Sequence, residues 1–172
     1  MSSIDRLDAD LLAALSEDPR RGISELAALT GVARNTVMAR LSRLSETGVL
    51  QGYDVRVDLE RLGLPVTAFL HLQLAQGGLQ EIIDALARFP EVLEICITTG
   101  ASDLVVRVAC PGNAELQAFV QEVLAVPGVV RTTTEIALTT PVPYRVAPLL
   151  AALTAGRGRG RAGRPAQPQQ RG

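Results

Sequence analysis

The sequence predicts an α+β protein with two folded parts and a basic tail, and three observations support this prediction. Before residue 50, apolar residues recur every three or four positions, which is the period of an amphipathic helix. After Pro65, strand-like segments, in which apolar and polar residues alternate, are interspersed with helix-like segments. The order strand, helix, strand occurs twice. Residues 154–172 contain five Arg and no acidic residue.

The N-terminal part, residues 1–60, predicts three helices with helix-turn-helix spacing. Apolar residues from Leu7 to Leu15 mark the first helix, which should end before Pro19 because proline restricts the residue that precedes it. A second helix has Ser24 as its candidate N-cap and ends at Gly31. The third helix is expected at Ala33–Leu44, and an alternating stretch at residues 49–57 predicts a linker strand that leaves the domain.

The third helix has one apolar stripe and an opposite face suited to the DNA major groove. Arg pairs with guanine edges and Asn with adenine, while small residues allow close approach. The residues predicted to lie nearest DNA are Arg34, Asn35, Thr36, Ala39, Arg40 and Arg43. Arg40 has an alternative role, an ion pair on the surface of the domain. The whole segment also has an alternative to DNA binding, in which it is a packing module whose Arg face is solvated.

The second part, residues 64–145, predicts two strand–helix–strand units in tandem. The expected strands are 66–75, 92–99, 104–110 and 129–139, and the expected helices are 79–89 and 114–126. Phe-Pro-Glu-Val at 89–92 and Val-Pro-Gly-Val at 126–129 mark the repeat. Two such units form a four-stranded antiparallel sheet with both helices on one face, a ferredoxin-like βαββαβ arrangement. The third strand is apolar on both sides, so the uncovered face predicts a homodimer.

Several segments of the N-terminal part resemble the leucine-responsive and asparagine regulator (Lrp/AsnC) family of transcription factors. The matching segments are residues 7–12, 18–20, 24–27, 40–44 and 48–53, in the family's order and spacing. The resemblance implies a winged-helix-like DNA-binding domain followed by an effector-binding and dimerisation domain. Ala33 departs from the pattern because the family usually has Ser there, and losing an N-cap costs about 1 kcal/mol. Thr30 and Thr36 are candidates to compensate.

The segment from Thr98 to Asp103 joins the second and third strands and, taken alone, is an ordinary Gly-containing turn. In the family that the chain resembles, a Thr-Gly-x-x-Asp segment here belongs to the domain that binds amino-acid effectors. The residues that the resemblance implies for effector binding are Thr99, Gly100, Ser102 and Asp103. Turn amides can hold the carboxylate of an amino acid while Asp103 accepts from its ammonium group.

Composition limits the other classes of function. All 17 basic residues are Arg, and the net charge of −1 divides into −6 for the first 153 residues and +5 for residues 154–172. Any DNA-binding surface on the first 153 residues must therefore be a local patch, because their net charge would repel DNA.

The few Cys and His residues limit metal and redox chemistry. We predict that Cys96 and Cys110 are reduced thiols and that His71, the single His, is an interface or core residue. These residues are too few for a zinc site, so we predict no metal site and no cofactor. The absence of a long apolar run predicts no membrane association and a cytoplasmic location.

Together these observations predict a sequence-specific DNA-binding regulator. Its predicted partners are double-stranded DNA, a small-molecule effector and a second copy of the chain. The sequence does not distinguish a dimer from further assembly into tetramers or octamers. Two alternatives remain. One is an enzyme similar to the sirohaem decarboxylases, whose chemistry relies on His and Arg side chains. His71 is the single His of this sequence, so few residues are available for such catalysis. The other is a nucleoid-type architectural protein with little sequence preference. The tail at 154–172 is predicted to be disordered. Two roles are equally compatible with its sequence: contacts with DNA phosphates, or a solvated tail without a binding role.

Overall fold

The computed structural model describes residues 4–159, which belong to two compact units. The first unit combines Met1–Arg56 with Pro143–Gly172, and the second is Val57–Val142. The elements, in chain order, are α1 (Arg6–Glu17), α2 (Ile23–Thr30), α3 (Arg34–Glu46), β1 (Val66–Leu74), α4 (Leu79–Leu86), β2 (Val92–Ile97), β3 (Leu104–Cys110), α5 (Asn113–Leu124), β4 (Val129–Ile136) and α6 (Ala147–Thr154). The chain thus returns to its first unit after completing the second.

The first unit has the predicted helix-turn-helix order of α1, α2 and α3. Its core is formed by leucines of α1 and α2 together with the apolar stripe of α3: Leu7, Leu11, Leu26, Val37, Leu41 and Leu44. Gly31 ends α2 in the left-handed conformation, with φ of 68°. The predicted cap of α2 is wrong, since the N-cap is Gly22 and not Ser24. Ala33 is the N-cap of α3 without a side-chain hydrogen bond, so neither threonine compensates there.

The predicted linker strand at residues 49–57 is wrong. The described chain has no strand between residues 47 and 65, and Val55 is 84% exposed. A strand needs a neighbour to pair its backbone N–H and C=O groups, and no neighbouring strand pairs with this stretch in the described part of the chain. An alternating pattern therefore occurs here without a sheet.

Helix α6 packs on the first unit, and its docking corrects the predicted start of the tail. Leu150 packs against the core of that unit, and Thr154 is buried with its hydroxyl donating to the carbonyl of Leu150. Thr154 therefore belongs to the folded unit and not to a disordered tail. Residues 160–172 of that predicted tail lie outside the described residues.

The second unit is a four-stranded antiparallel sheet in the order β2-β3-β1-β4, as the tandem repeat predicts. Helices α4 and α5 pack on one face, where they share a core with the inward residues of β1 and β3. The opposite face is more polar than expected, because Arg107 lies opposite Phe69 in the register and His71 lies between Val105 and Thr133.

Candidate DNA-binding face and effector site

The outward face of α3 is set by the burial of its apolar stripe. Because Val37, Leu41 and Leu44 are buried, the residues on the other side of the helix are exposed to solvent. On this face Arg34, Asn35, Met38, Ala39 and Ser42 are exposed, and Ser45 and Glu46 are exposed in the last turn. The sequence reasoning missed Met38 and Ser42, although both lie within one or two turns of Asn35 and the helical spacing alone could have identified them. Thr36 is half-buried at the edge of this face.

Arg40 and Arg43 are held against α1 by a buried carboxylate. Asp8 has no exposed surface, and its two oxygens accept from the guanidinium of Arg40 at 3.1 Å and from that of Arg43 at 2.5 Å. Arg40 also donates to Asp5 at 2.5 Å. The side chain of Arg40 is only 13% exposed, whereas that of Arg43 is 39% exposed. The ion-pair alternative for Arg40 is therefore the one that the structure adopts.

The same carboxylates begin α1. Asp5 is the N-cap and accepts from the N–H of Asp8, while Asp8 accepts from the N–H of Asp5, so the two form a capping box. Burial alone would raise the pKa of Asp5, but the N–H of Asp8 and the charge of Arg40 outweigh it and hold that pKa below its usual value. Burial opposes the charge of Arg40, yet its hydrogen bonds to Asp5 and Asp8 raise its pKa. One ionic cluster thus fixes the start of α1 and the orientation of α3.

The predicted effector loop is closed by its own hydrogen bonds. Thr98 donates through its hydroxyl to the carbonyl of Ser102 and through its N–H to that of Asp103. The carboxylate of Asp103 accepts from the N–H of Leu74 at 2.8 Å, where the register of β1 and β4 shifts. Gly100 has φ of 118°, which other residues rarely adopt. Asp103 therefore supports the end of β1 in addition to any role in binding.

Two open cavities flank this loop and divide the predicted effector residues. One, of about 270 Å³, is lined by Asp103, Thr98 and apolar side chains that include Leu74, Leu79 and Ile97. The other, of about 360 Å³, lies on the open face of the sheet and is lined by Ser102 together with His71, Gln73, Arg131, Thr133 and Glu135. Thr99 and Gly100 line neither cavity. The neighbouring residues Ser102 and Asp103 therefore line different cavities.

The remaining candidates for metal or catalytic chemistry are His71 and the two cysteines, Cys96 and Cys110. His71 lies 3.5 Å from Glu135 on the open sheet face. Cys96 is exposed, and Cys110 is buried with a pKa raised by its burial and by Glu91 and Glu115. Within residues 4–159, no group of three or more His, Cys, Asp or Glu is arranged to hold a metal ion. No helix in the same range is long and apolar enough to cross a membrane.

Comparison with known proteins identifies both units. Residues 4–45 match the model of the AsnC-type helix-turn-helix domain, and residues 67–147 match that of the Lrp/AsnC ligand binding domain. The chain belongs to the Lrp/AsnC family. HTH-type transcriptional regulator FL11 of Pyrococcus horikoshii is 32% identical over 137 residues, which cover 80% of this chain and 91% of that protein.

Solved structures give the same result for this Lrp/AsnC chain. AsnC of E. coli is 28% identical with a TM-score of 0.73, covering 86% of this chain and 100% of its own. A transcriptional regulator of Neisseria meningitidis, solved as an L-Met complex, shares the fold at 22% identity and a TM-score of 0.77, covering 86% and 99%. This Lrp/AsnC chain is therefore a transcriptional regulator with a helix-turn-helix DNA-binding domain and a ligand-binding domain.

Proposed function

We propose that this regulator recognises a specific operator through the exposed face of α3. The observation that supports the proposal is that Asp8 holds Arg40 and Arg43 on one flank of α3 and leaves Arg34 and Asn35 free to face DNA. Arg40 becomes a positioning residue in this scheme. Arg43, still partly exposed, and Thr36 lie at the edge, where phosphates are the nearest DNA groups.

The chemistry of the exposed face fits the floor of the major groove. Arg34 and Asn35 lie in the first turn of α3, which carries the positive end of the helix dipole. Their side chains match the paired acceptors of guanine and the donor–acceptor edge of adenine. Ala39 and Ser42 are small enough for close approach, and Met38, which is 55% exposed, offers an apolar contact of the kind that thymine methyl groups accept.

A homodimer would present two such helices to one operator. The open sheet face supports this pairing, because Phe69 and Val105 lie there half-buried and the Nε of Arg107 is buried with no hydrogen-bond partner among residues 4–159. A buried donor of this kind favours an acceptor from a second copy. Two-fold symmetry of the dimer then requires a palindromic site.

Selection from a random duplex library with the intact chain tests this function. We expect enrichment of a palindrome whose half-sites lie about 10 base pairs, or a multiple, apart, since two recognition helices must enter successive major grooves. Sequencing of the bound pool measures the motif. Recovery of duplexes with no shared motif, at an affinity equal to that of the starting pool, would instead support the architectural alternative.

For the effector we propose an apolar amino acid bound in the cavity that Asp103 lines. The carboxylate of Asp103 suits the ligand ammonium group, and Leu74, Leu79 and Ile97 suit an apolar side chain. The L-Met in the fold relative from Neisseria meningitidis is of this chemical class. Because a ligand shifts only states that it distinguishes, it would act by favouring one assembly or domain arrangement.

Asp103→Asn is expected to abolish the amino-acid response of the melting temperature. A ligand at 100 times its Kd stabilises its target by about 2.7 kcal/mol, so a screen of the amino acids on the unmodified chain should show a rise of several degrees. Asn keeps an oxygen that can accept from Leu74 N–H, so the loop is retained while the charge is lost. Ser102→Ala, which alters the other cavity, is the matched control and should respond normally. The opposite pattern would move the effector to the open sheet face.

A further inference from the structure

We infer that Arg159 is a positioning residue for the recognition helix, because it braces the turn between α2 and α3 from the C-terminal segment at residues 143–159. The inference rests on the proposed recognition of DNA by α3 and adds to it the contact that fixes where this helix begins. Three observations lead to it. They are the lack of a side-chain cap on α3, the two acceptors that Arg159 joins and the docking of α6 on the same unit.

The turn between α2 and α3 contains no side chain that caps the recognition helix. Ala33 is the N-cap and makes no side-chain hydrogen bond, although the first N–H groups of a helix have no partner inside it. The turn is held at its other end, where Gly31 and Val32 donate their N–H groups to the carbonyl of Ala27. The two residues of α3 that are proposed to read DNA follow directly after this turn. Their position therefore depends on how firmly the end of α2 is held.

Arg159 supports the end of α2 with a guanidinium that joins two helices. Its Nη1 donates to the carbonyl of Thr30 at 3.0 Å, and its Nη2 lies 3.6 Å from a carboxylate oxygen of Asp10. Thr30 is the last residue of α2, so its carbonyl has no acceptor role inside that helix, and Asp10 belongs to α1. A cation at this end of a helix also interacts favourably with the helix dipole. One planar group thus ties α1 to the residue from which the turn begins.

Both sides of this contact are themselves held in place. Thr30 is 4% exposed, and its hydroxyl donates to a carbonyl of the preceding turn of α2. On the other side, α6 docks on the first unit through Leu150 and the buried Thr154. The N–H of Arg157 donates to the carbonyl of Thr154, and its guanidinium donates to that of Ile4. Arg159 therefore follows a segment that is already bound to the helix-turn-helix.

The geometry of the contact separates bracing from charge. Arg presents its N–H groups in a rigid plane and can bond two acceptors at once, whereas the ammonium of Lys is a point charge on a flexible stem. The substitution Arg159→Lys keeps the positive charge, and with it any general attraction to DNA phosphates. It loses the planar group that joins Thr30 to Asp10. Bracing and charge therefore predict different results for this variant.

The test compares three single variants of the intact chain, Arg159→Lys, Arg159→Gln and the control Arg145→Gln. Arg145 is exposed in the same C-terminal segment, so the control removes the same charge from a position away from the turn. Fluorescence anisotropy measures binding of the selected operator and of a scrambled duplex of equal length. Hydrogen exchange of the DNA-free chains, measured by mass spectrometry over residues 27–37, reports on the turn itself.

We expect both Arg159 variants to bind the operator about fivefold more weakly, which corresponds to the net worth of one hydrogen bond. Arg159→Lys should bind the scrambled duplex as the unmodified chain does. Exchange over residues 27–37 should become about fivefold faster in both variants, because the N–H groups of Gly31 and Val32 lie there, and should stay the same in β1 and β3. Arg145→Gln should keep the exchange rates and the operator preference of the unmodified chain.

Two sets of results would overturn the inference. If Arg159→Lys binds the operator fully while Arg159→Gln binds it weakly, the charge of residue 159 matters and the brace does not. If both variants keep full operator affinity, Arg159 does not position the recognition helix, even where exchange over residues 27–37 is faster.

Failure of the brace and failure of the proposed recognition give different results. If the unmodified chain binds the operator and the scrambled duplex equally, the sequence-specific function fails. Hydrogen exchange of the Arg159 variants then decides the brace alone, since faster exchange supports it and unchanged exchange overturns it. If the unmodified chain prefers the operator and both Arg159 variants bind it equally well, only the inference about Arg159 fails.

Discussion

Replacing Asp8 with Ala should lower the free energy of unfolding of the helix-turn-helix by about 3 kcal/mol. The substitution leaves two guanidinium groups without their shared carboxylate and removes the N3 side chain of the capping box. Arg40 suffers most, because its side chain is 13% exposed and water cannot readily replace the missing acceptor. Asp5 remains as its second partner, which keeps the loss below the upper end of the range for buried ion pairs.

Hydrogen exchange measured by mass spectrometry on the intact chain reports this loss locally. A change of about 3 kcal/mol corresponds to about a 150-fold loss of protection, expected over α1 and α3 and absent from β1 and β3. Glu17→Ala, on the same helix but in an exposed pair with Arg21, is the control and should change protection very little. Equal protection in the Asp8 and Glu17 variants would contradict a structural role for the buried carboxylate.

The double substitution Arg34→Ala and Asn35→Ala should reduce affinity for the selected operator by about a thousandfold. Each base contact of this kind is worth about 1–3 kcal/mol, so two contribute roughly 4 kcal/mol together. Both side chains are exposed on the outward face of α3 and take no part in the core of the first unit. The melting temperature should therefore stay near that of the unmodified chain.

Competition binding with the operator and a scrambled duplex separates base recognition from general attraction. The double variant should lose most of its preference between the two duplexes, whereas Arg20→Ala should keep it. Arg20 lies in the same unit, is 92% exposed and has the same charge, so it controls for electrostatics alone. An operator preference that survives the double substitution would place the reading face elsewhere on the molecule.

The sequence predicts the elements of this fold well because most of them are long and periodic. Both the three-helix order and the tandem strand–helix–strand pattern place buried residues at regular intervals, as in Val37, Leu41 and Leu44. The alternating stretch around Val55 misled the prediction, since period-two spacing describes a strand only where a neighbour pairs with it. Local pattern thus predicts an element more securely than it predicts its partner.

The sites were harder to predict because they depend on contacts between distant positions. The inward orientation of Arg40 follows from Asp8, 32 residues away, and neither residue signals the other in the sequence. Asp103 accepts from the N–H of Leu74, 29 positions away, and lines a different cavity from its neighbour Ser102. Arg159 reaches Thr30 across 129 positions. Residues on one helical face, such as Met38, were by contrast within reach of periodicity alone.

The return of α6 to the first unit also orders events during synthesis. The helix-turn-helix is translated first, but Leu150, which packs on its core, follows the last residue of β4 in the chain. At about 5–20 residues per second, roughly 5–20 seconds separate the end of α3 from α6 on the ribosome. A nascent or truncated chain that ends before α6 lacks both this packing and the hydrogen bonds that Arg157 and Arg159 donate to the carbonyls of Ile4 and Thr30. Only a chain whose translation has passed the second unit can therefore add Leu150 to the packing of the first unit.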